Sequence, residues 1–106
     1  MLGTDLLLLD VETTGLDPRT AEIIQLSACV LSRRDLSEVD VFSMRVRPSH
    51  PISPQAQAIH GLSFEDLEDE PELQAVIGEF HRFAPQHAIL CGHNVGFDIG
   101  FLKAAY

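Results

Sequence analysis

The sequence predicts an α/β domain with a mixed sheet, and three observations lead there. Strand-like segments follow one another through the first half, joined by short polar turns. A helical apolar period then replaces the twofold one, before a short apolar strand and a last helical segment. The 106 residues, 45% of them apolar, suffice for one small domain around one core. The order βββ-α-β-α sets a three-stranded antiparallel meander beside an α-β-α unit.

Residues 5–11 read as a buried strand, with the run Leu6 to Leu9 at its centre and polar residues at its end. Gly15 and Pro18 punctuate the turn that follows. Residues 23–31 form a second strand with imperfect alternation, and Arg33-Arg34-Asp35 a polar turn. In residues 39–46, Val39, Val41, Ser43 and Arg45 alternate with Asp40, Phe42, Met44 and Val46, the pattern of a half-exposed third strand. Pro48, Pro51 and Pro54 mark an extended segment, and Ser53 or Pro54 starts a short helix that Gly61 stops after Ile59-His60. Ser63 with Asp66 resembles a capping box. Pro71 suits the first turn of the next helix, whose apolar positions are Leu73, Val76, Ile77, Phe80 and Phe83; Pro85 closes it. Residues 87–92 read as a short strand, and Phe97, Gly100, Phe101, Ala104 and Ala105 give helical spacing to the end.

Composition narrows the function. Sixteen acidic residues against seven basic give a net charge of −9, which argues against a general basic nucleic-acid surface and leaves room for a local contact made through cations. Six of the eight residues from Glu65 to Glu72 are acidic, a run expected to be a solvated loop and helix start. No apolar run approaches a membrane span, and no secretory leader is expected at the start. Cys29 and Cys91 stand singly in apolar segments, which reads as two reduced, buried thiols of a cytoplasmic protein rather than a zinc site. His50, His81 and His87 read as surface or structural, and Lys103 as exposed.

Asp10 and Glu12 lie two apart at the end of the first strand, so both side chains share a face. Two such carboxylates repel unless a cation joins them, and hard oxygen donors suit Mg²⁺ or Mn²⁺. Thr13-Thr14-Gly15 follows, with backbone amides able to approach a phosphate. Asp98 falls in the first turn of the last helix, where the dipole favours an anion. A strand end and a following helix start meet at one edge of a sheet, where ligands of α/β proteins bind.

These residues carry a family resemblance. Asp10 to Pro18 resembles the first exonuclease motif of the DEDD superfamily, and the segment His93-Asn94-Val95-Gly96-Phe97-Asp98 resembles its second. Residues 23–28 look like the family's second strand, and residues 58–63 like the segment before its first main helix. The likeness is to the RNase T and DNA polymerase III epsilon type, the DEDDh branch. It implies an RNase H-like fold and two-metal hydrolysis of phosphodiesters at the 3′ end of single-stranded DNA or RNA, for proofreading or end trimming. It implies Mg²⁺ or Mn²⁺, two ions per site roughly 3.5–4 Å apart. Asp10, Glu12 and Asp98 would be the catalytic metal ligands, with Asp10 bridging both ions. Thr13, Thr14, Gly15 and Asn94 would position the terminal nucleotide, and Ile59, His60 and Phe97 would pack against it. The expected partners are a nucleic-acid 3′ end or its nucleoside monophosphate product, and a polymerase subunit or a second copy.

The family's third motif, a general-base His followed by a fourth Asp, belongs to a later helix, and no acidic residue follows Asp98. Residues 1–106 are therefore expected to be the N-terminal part of one exonuclease domain, lacking its C-terminal strand and helix. His93 is read as orienting its loop rather than replacing the base. Loss of a base costs ~10²–10⁴-fold, so the piece alone is expected to be inactive or weak. Two other classes compete: a nonenzymatic module that only binds a partner or a 3′ end, and a phosphatase of the haloacid dehalogenase type. The latter's apolar strand and DxDxT-like opening superficially match Leu6 to Thr14, but the second acid here is Glu12 and the scheme has no use for Asn94 to Asp98.

Overall fold

The structure, a computed structural model, describes residues 5–85, 88–92 and 95–105. The expected meander is present: β1 (Asp5–Thr13), β2 (Ile23–Leu31) and β3 (Glu38–Arg45), paired antiparallel in sequence. A short parallel strand, β4 (Ala88–Cys91), joins the other side of β1, giving the order β3-β2-β1-β4. The helices are α1 (Pro54–His60), α2 (Leu73–Phe83) and α3 (Val95–Ala105). Pro71 lies two residues ahead of α2 rather than within its first turn. His87, His93 and Asn94 fall outside the described residues.

One face of the sheet carries the core. Leu7, Leu9 and Val11 of β1, Leu26, Ala28 and Val30 of β2, and the half-buried Phe42 and Met44 of β3 meet Val76, Ile77 and Phe80 of α2 and Phe101 and Leu102 of α3. Phe42 packs edge-on to Phe80 at 5.8 Å between centroids. The opposite face is open, so Leu8 and Val41 are exposed there. This placement explains why the two thiols are only half-buried, against expectation: Cys29 faces the open side beside Leu8, and Cys91 ends an edge strand.

The imperfect alternation of the second strand has a physical cause. The β1–β2 register slips between Glu12 and Thr13, which pair with Gln25 and Ile23 and leave Ile24 as an extra residue. Such a bulge lets two consecutive side chains turn inward. Ile23 joins the main core, while Ile24 seals a second cluster with Leu62 and Leu67. Leu67 is thus an apolar anchor inside the acidic run, whose other members are mostly exposed.

The segment over the end of β1 is held by local chemistry. Ser53 caps α1 by accepting from the Ala56 N–H at 3.1 Å, and Gly61 ends it at φ 73°, a left-handed position where a Cβ is costly. Ser63 and Asp66 bond reciprocally at 2.9 and 3.2 Å, as their spacing predicts. Glu22 accepts from the N–H groups of Ser49 and His50 and from His50 Nδ1, so His50 has a definite structural role. We expect Ser53→Ala to cost about 1 kcal/mol of stability, read by urea unfolding, because it orphans a helix-terminal N–H.

Candidate metal centre and nucleotide pocket

The site forms where β4 stops short. Its last residue, Cys91, pairs with Leu8, so among the described residues this edge of β1 has no strand beside it beyond Leu8. The chain turns back at Gly92, so close to β1 that a Cβ there would lie 2.7 Å from the Leu9 carbonyl oxygen. Then α3 begins, and Asp98 in its first turn accepts a hydrogen bond from the Val11 N–H. Asp98 therefore completes the strand edge that β4 leaves open, and it is 4% exposed.

Asp10 and Glu12 approach from the open face of β1. Glu12 and Asp98 both feel the Asp10 charge. Burial pushes Glu12 above the ordinary carboxyl range, and the Asp10 charge adds to that; His60 pulls it down and Asp98 raises it again. Burial raises Asp98 too, against the bond from Val11 and with a further rise from Asp10. Among the described residues no Lys or Arg forms an ion pair with any of the three. Nor are three or more His, Cys, Asp or Glu side chains there drawn together tightly enough to hold a metal ion as they stand. By donor type the set fits a hard divalent cation: carboxylate oxygens whose like charges a bound cation would offset.

Beside Glu12 lies a hollow of about 440 Å³, lined by Val11, Glu12, Thr13, Gly15, Leu16, Ala56, Ile59, His60 and Phe97. Five residues expected to meet the nucleotide, Thr13, Gly15, Ile59, His60 and Phe97, are brought together here. Thr14 does not line it. Its hydroxyl accepts from the Glu22 N–H, its own N–H is bonded to the Glu22 carbonyl, and its carbonyl holds Ser53. Asn94 lies outside the described residues. Leu16 was not singled out from sequence. It and Ile59 are 74% and 76% exposed at the mouth, and Phe97 below stacks obliquely on Phe101 at 4.8 Å. The available signal was an apolar residue directly after Gly15 in a turn, where a large exposed side chain needs a reason.

His60 has a definite tautomer. Its Nδ1 accepts from the Leu62 N–H at 3.0 Å, so the proton sits on Nε2, which donates to the Thr13 carbonyl at 3.1 Å. Both ring nitrogens are spent on backbone. His60 fixes the wall of the hollow.

A mixed sheet of this order, with α2 and α3 packed on one face, is an RNase H-like α/β domain. The chain belongs to the RNase T exonuclease family, whose model matches residues 7–106. It is 38% identical over 95 residues to the PolC-type DNA polymerase III of Thermotoga petrophila, covering 90% of this chain and 7% of the relative. It is 32% identical to exonuclease X, solved in complex with 5′ overhanging duplex DNA, with a TM-score of 0.74 over 91% of this chain and 52% of that one. Exonuclease I from Methylocaldum szegediense shares the fold at a TM-score of 0.86 and 20% identity, over 97% of this chain and 23% of that one. The chain thus spans about 7% of the length of the polymerases it matches. No helix among the described residues is long and apolar enough to cross a membrane.

Proposed function

We propose that these 106 residues are the metal- and nucleotide-binding part of a 3′–5′ exonuclease domain acting on single-stranded ends. The observation that carries this reading is Glu12, which lines a largely apolar hollow of nucleotide size and feels the charges of Asp10 and Asp98. Asp10 and Glu12 would hold Mg²⁺ or Mn²⁺ from the open face, and Asp98 from the strand edge. A bound divalent cation supplies Lewis acidity and offsets the negative charge that otherwise repels phosphate. Leu16, Ile59 and Phe97 grip the terminal base by surface, without reading its hydrogen-bond edge. His60 and Thr13 set the wall against which the sugar rests.

The test is binding of thymidine monophosphate with Mn²⁺, followed by calorimetry, alongside cleavage of a 3′-labelled single strand. Cation-dependent nucleotide binding that needs Asp10 is expected; nucleotide binding indifferent to cation and to Asp10→Ala overturns the reading. We further expect Ile59→Ala to weaken the nucleotide roughly tenfold while leaving the melting temperature nearly unchanged, because the side chain is exposed until a base covers it.

A second reading, binding of a 3′ end without hydrolysis, has one observation in its favour. Both nitrogens of His60 are engaged with backbone, which leaves it unsuited to serve as the general base. For the 106 residues alone, binding should therefore exceed turnover. Mononucleotide release at rates ordinary for an enzyme would remove this second reading.

A further inference from the structure

On the open face of the sheet, a polar row runs sideways from the carboxylates across β2 and β3. The register places Gln25 and then Arg45 beside Glu12, and Ser27 and then Ser43 beside Asp10. These side chains are linked: Ser27 and Ser43 hydroxyls meet at 3.1 Å, and the Gln25 amide donates to both, at 3.5 and 3.4 Å. Arg45 lies two strands from Glu12, roughly 10 Å away. It borders a hollow of about 450 Å³ with Gln25, Ser43, Met44, Glu70 and Pro71.

Arg45 differs from the other arginines of this acidic chain. Arg19, Arg47 and Arg82 are paired with Asp17, Glu72 and Glu79. Arg33 and Arg34 occupy the β2–β3 turn, at the far end of the sheet from Asp10, where Leu31 pairs with Leu6. The Arg45 guanidinium is exposed and forms no hydrogen bond or ion pair among the described residues; Asp66, held below the ordinary carboxyl range mainly by its bonds with Ser63, feels the Arg45 charge only as a minor further cause. An unpaired guanidinium beside the one serine hydroxyl that the Ser27–Ser43 bond leaves free to donate is suited to a phosphate oxygen.

We propose that this row, anchored by Arg45, holds the sugar-phosphate backbone on the 5′ side of the bond to be cut. The inference rests on the reading of the carboxylates given above, and it supplies a direction. The nucleotide hollow lies past the end of β1 and the polar row lies toward β3, with Asp10 and Glu12 between them. A single strand entering over Arg45 would cross the carboxylates and place its last base between Leu16 and Ile59. The contact is to phosphate, so DNA and RNA share it.

The test compares two ligands on wild-type chain, Arg45→Ala and Arg45→Lys. One is thymidine monophosphate; the other is a short oligo-dT with a hydrolysis-resistant 3′ linkage, followed by fluorescence anisotropy with Mn²⁺. Arg45→Ala should weaken the oligonucleotide about tenfold, the size of one charge-assisted contact, and leave the mononucleotide unchanged. The logarithmic salt slope should fall by about 0.7, one phosphate's worth on a single strand. Arg45→Lys should restore part of the loss, and Ser43→Glu should repeat it. An oligo-rU should lose the same factor; a loss confined to one sugar type overturns a phosphate contact. If thymidine monophosphate fails to bind the wild type, the underlying reading falls and this inference with it. If it binds, and Arg45→Ala weakens both ligands equally or neither, the polar row alone is overturned.

Discussion

Asp10→Ala should abolish cation-dependent nucleotide binding and lower any cation-dependent shortening of a 3′ end on the order of 10³-fold. Loss of several kcal/mol of charge stabilisation corresponds to that factor. The mutant should nonetheless fold, because Asp10 is exposed and no part of the hydrophobic core. The informative partner is Asp10→Asn, which keeps the shape and removes the charge. The Asp10 charge raises both Glu12 and Asp98, so removing it relieves repulsion in the cation-free chain. Asp10→Asn should therefore be at least as stable as wild type without cation, and gain nothing when Mn²⁺ is added. Wild type at a hundred times its dissociation constant should gain about 2.7 kcal/mol. A thermal melt with and without Mn²⁺ reads all of this, and a full metal-induced shift in Asp10→Asn would sink the assignment.

The pH dependence follows from the same groups. Glu12 and Asp98 have folded values raised above the ordinary 4.5 and 3.8. A raised carboxyl binds its proton more tightly in the folded chain, so its stabilising contribution is complete below the unfolded value. It is lost as pH climbs through the folded value. The cation-free chain should lose stability from these two groups as pH rises from the ordinary carboxyl range through their raised folded values. Bound cation favours the ionised carboxylates and should blunt that loss. Site and stability thus pull in opposite directions unless a cation is present.

Sequence legibility followed the range of each interaction. Strand and helix periods, the Ser53 cap, the Gly61 stop and the Ser63–Asp66 pair are local, and each was readable from neighbouring residues. The Asp10–Glu12 pair was readable from strand parity. The bulge at Ile24 was not, since one extra residue changes parity without any compositional mark. Leu67 looked like an acidic-loop residue until Ile24 and Leu62 closed over it. Thr14 looked like a phosphate-facing residue because a turn motif says nothing of which hydroxyl faces inward; Glu22, eight residues away, decides that. His60 was singled out by its motif, but its bond to the Thr13 carbonyl, 47 residues away, was not readable from its neighbours. The row ending in Arg45 depends on cross-strand register, which no single strand reveals.

The last large effect is expected at Gly92, a residue with no titratable group. Its importance comes from how near the β4–α3 turn must pass to β1. A Cβ there would meet the Leu9 carbonyl oxygen at 2.7 Å, and that oxygen belongs to the backbone of a central strand, which cannot swing aside like a side-chain tip. Gly92→Ala must shift the turn, and overpacking of this kind costs about 1–3 kcal/mol, a fall in melting temperature of roughly 5–20 °C for a chain of this size. The shift is transmitted directly to Asp98, whose Oδ2 would lie 3.8 Å from the new methyl and whose partner is the Val11 N–H. Metal-dependent stabilisation should therefore drop together with stability. A double-mutant cycle with Asp98→Asn separates the two effects. If the glycine acts on the site through Asp98, Gly92→Ala removes little further metal response once Asp98 is gone, while its stability cost persists. If the two metal losses simply add, the glycine shapes the fold but not the position of the carboxylate.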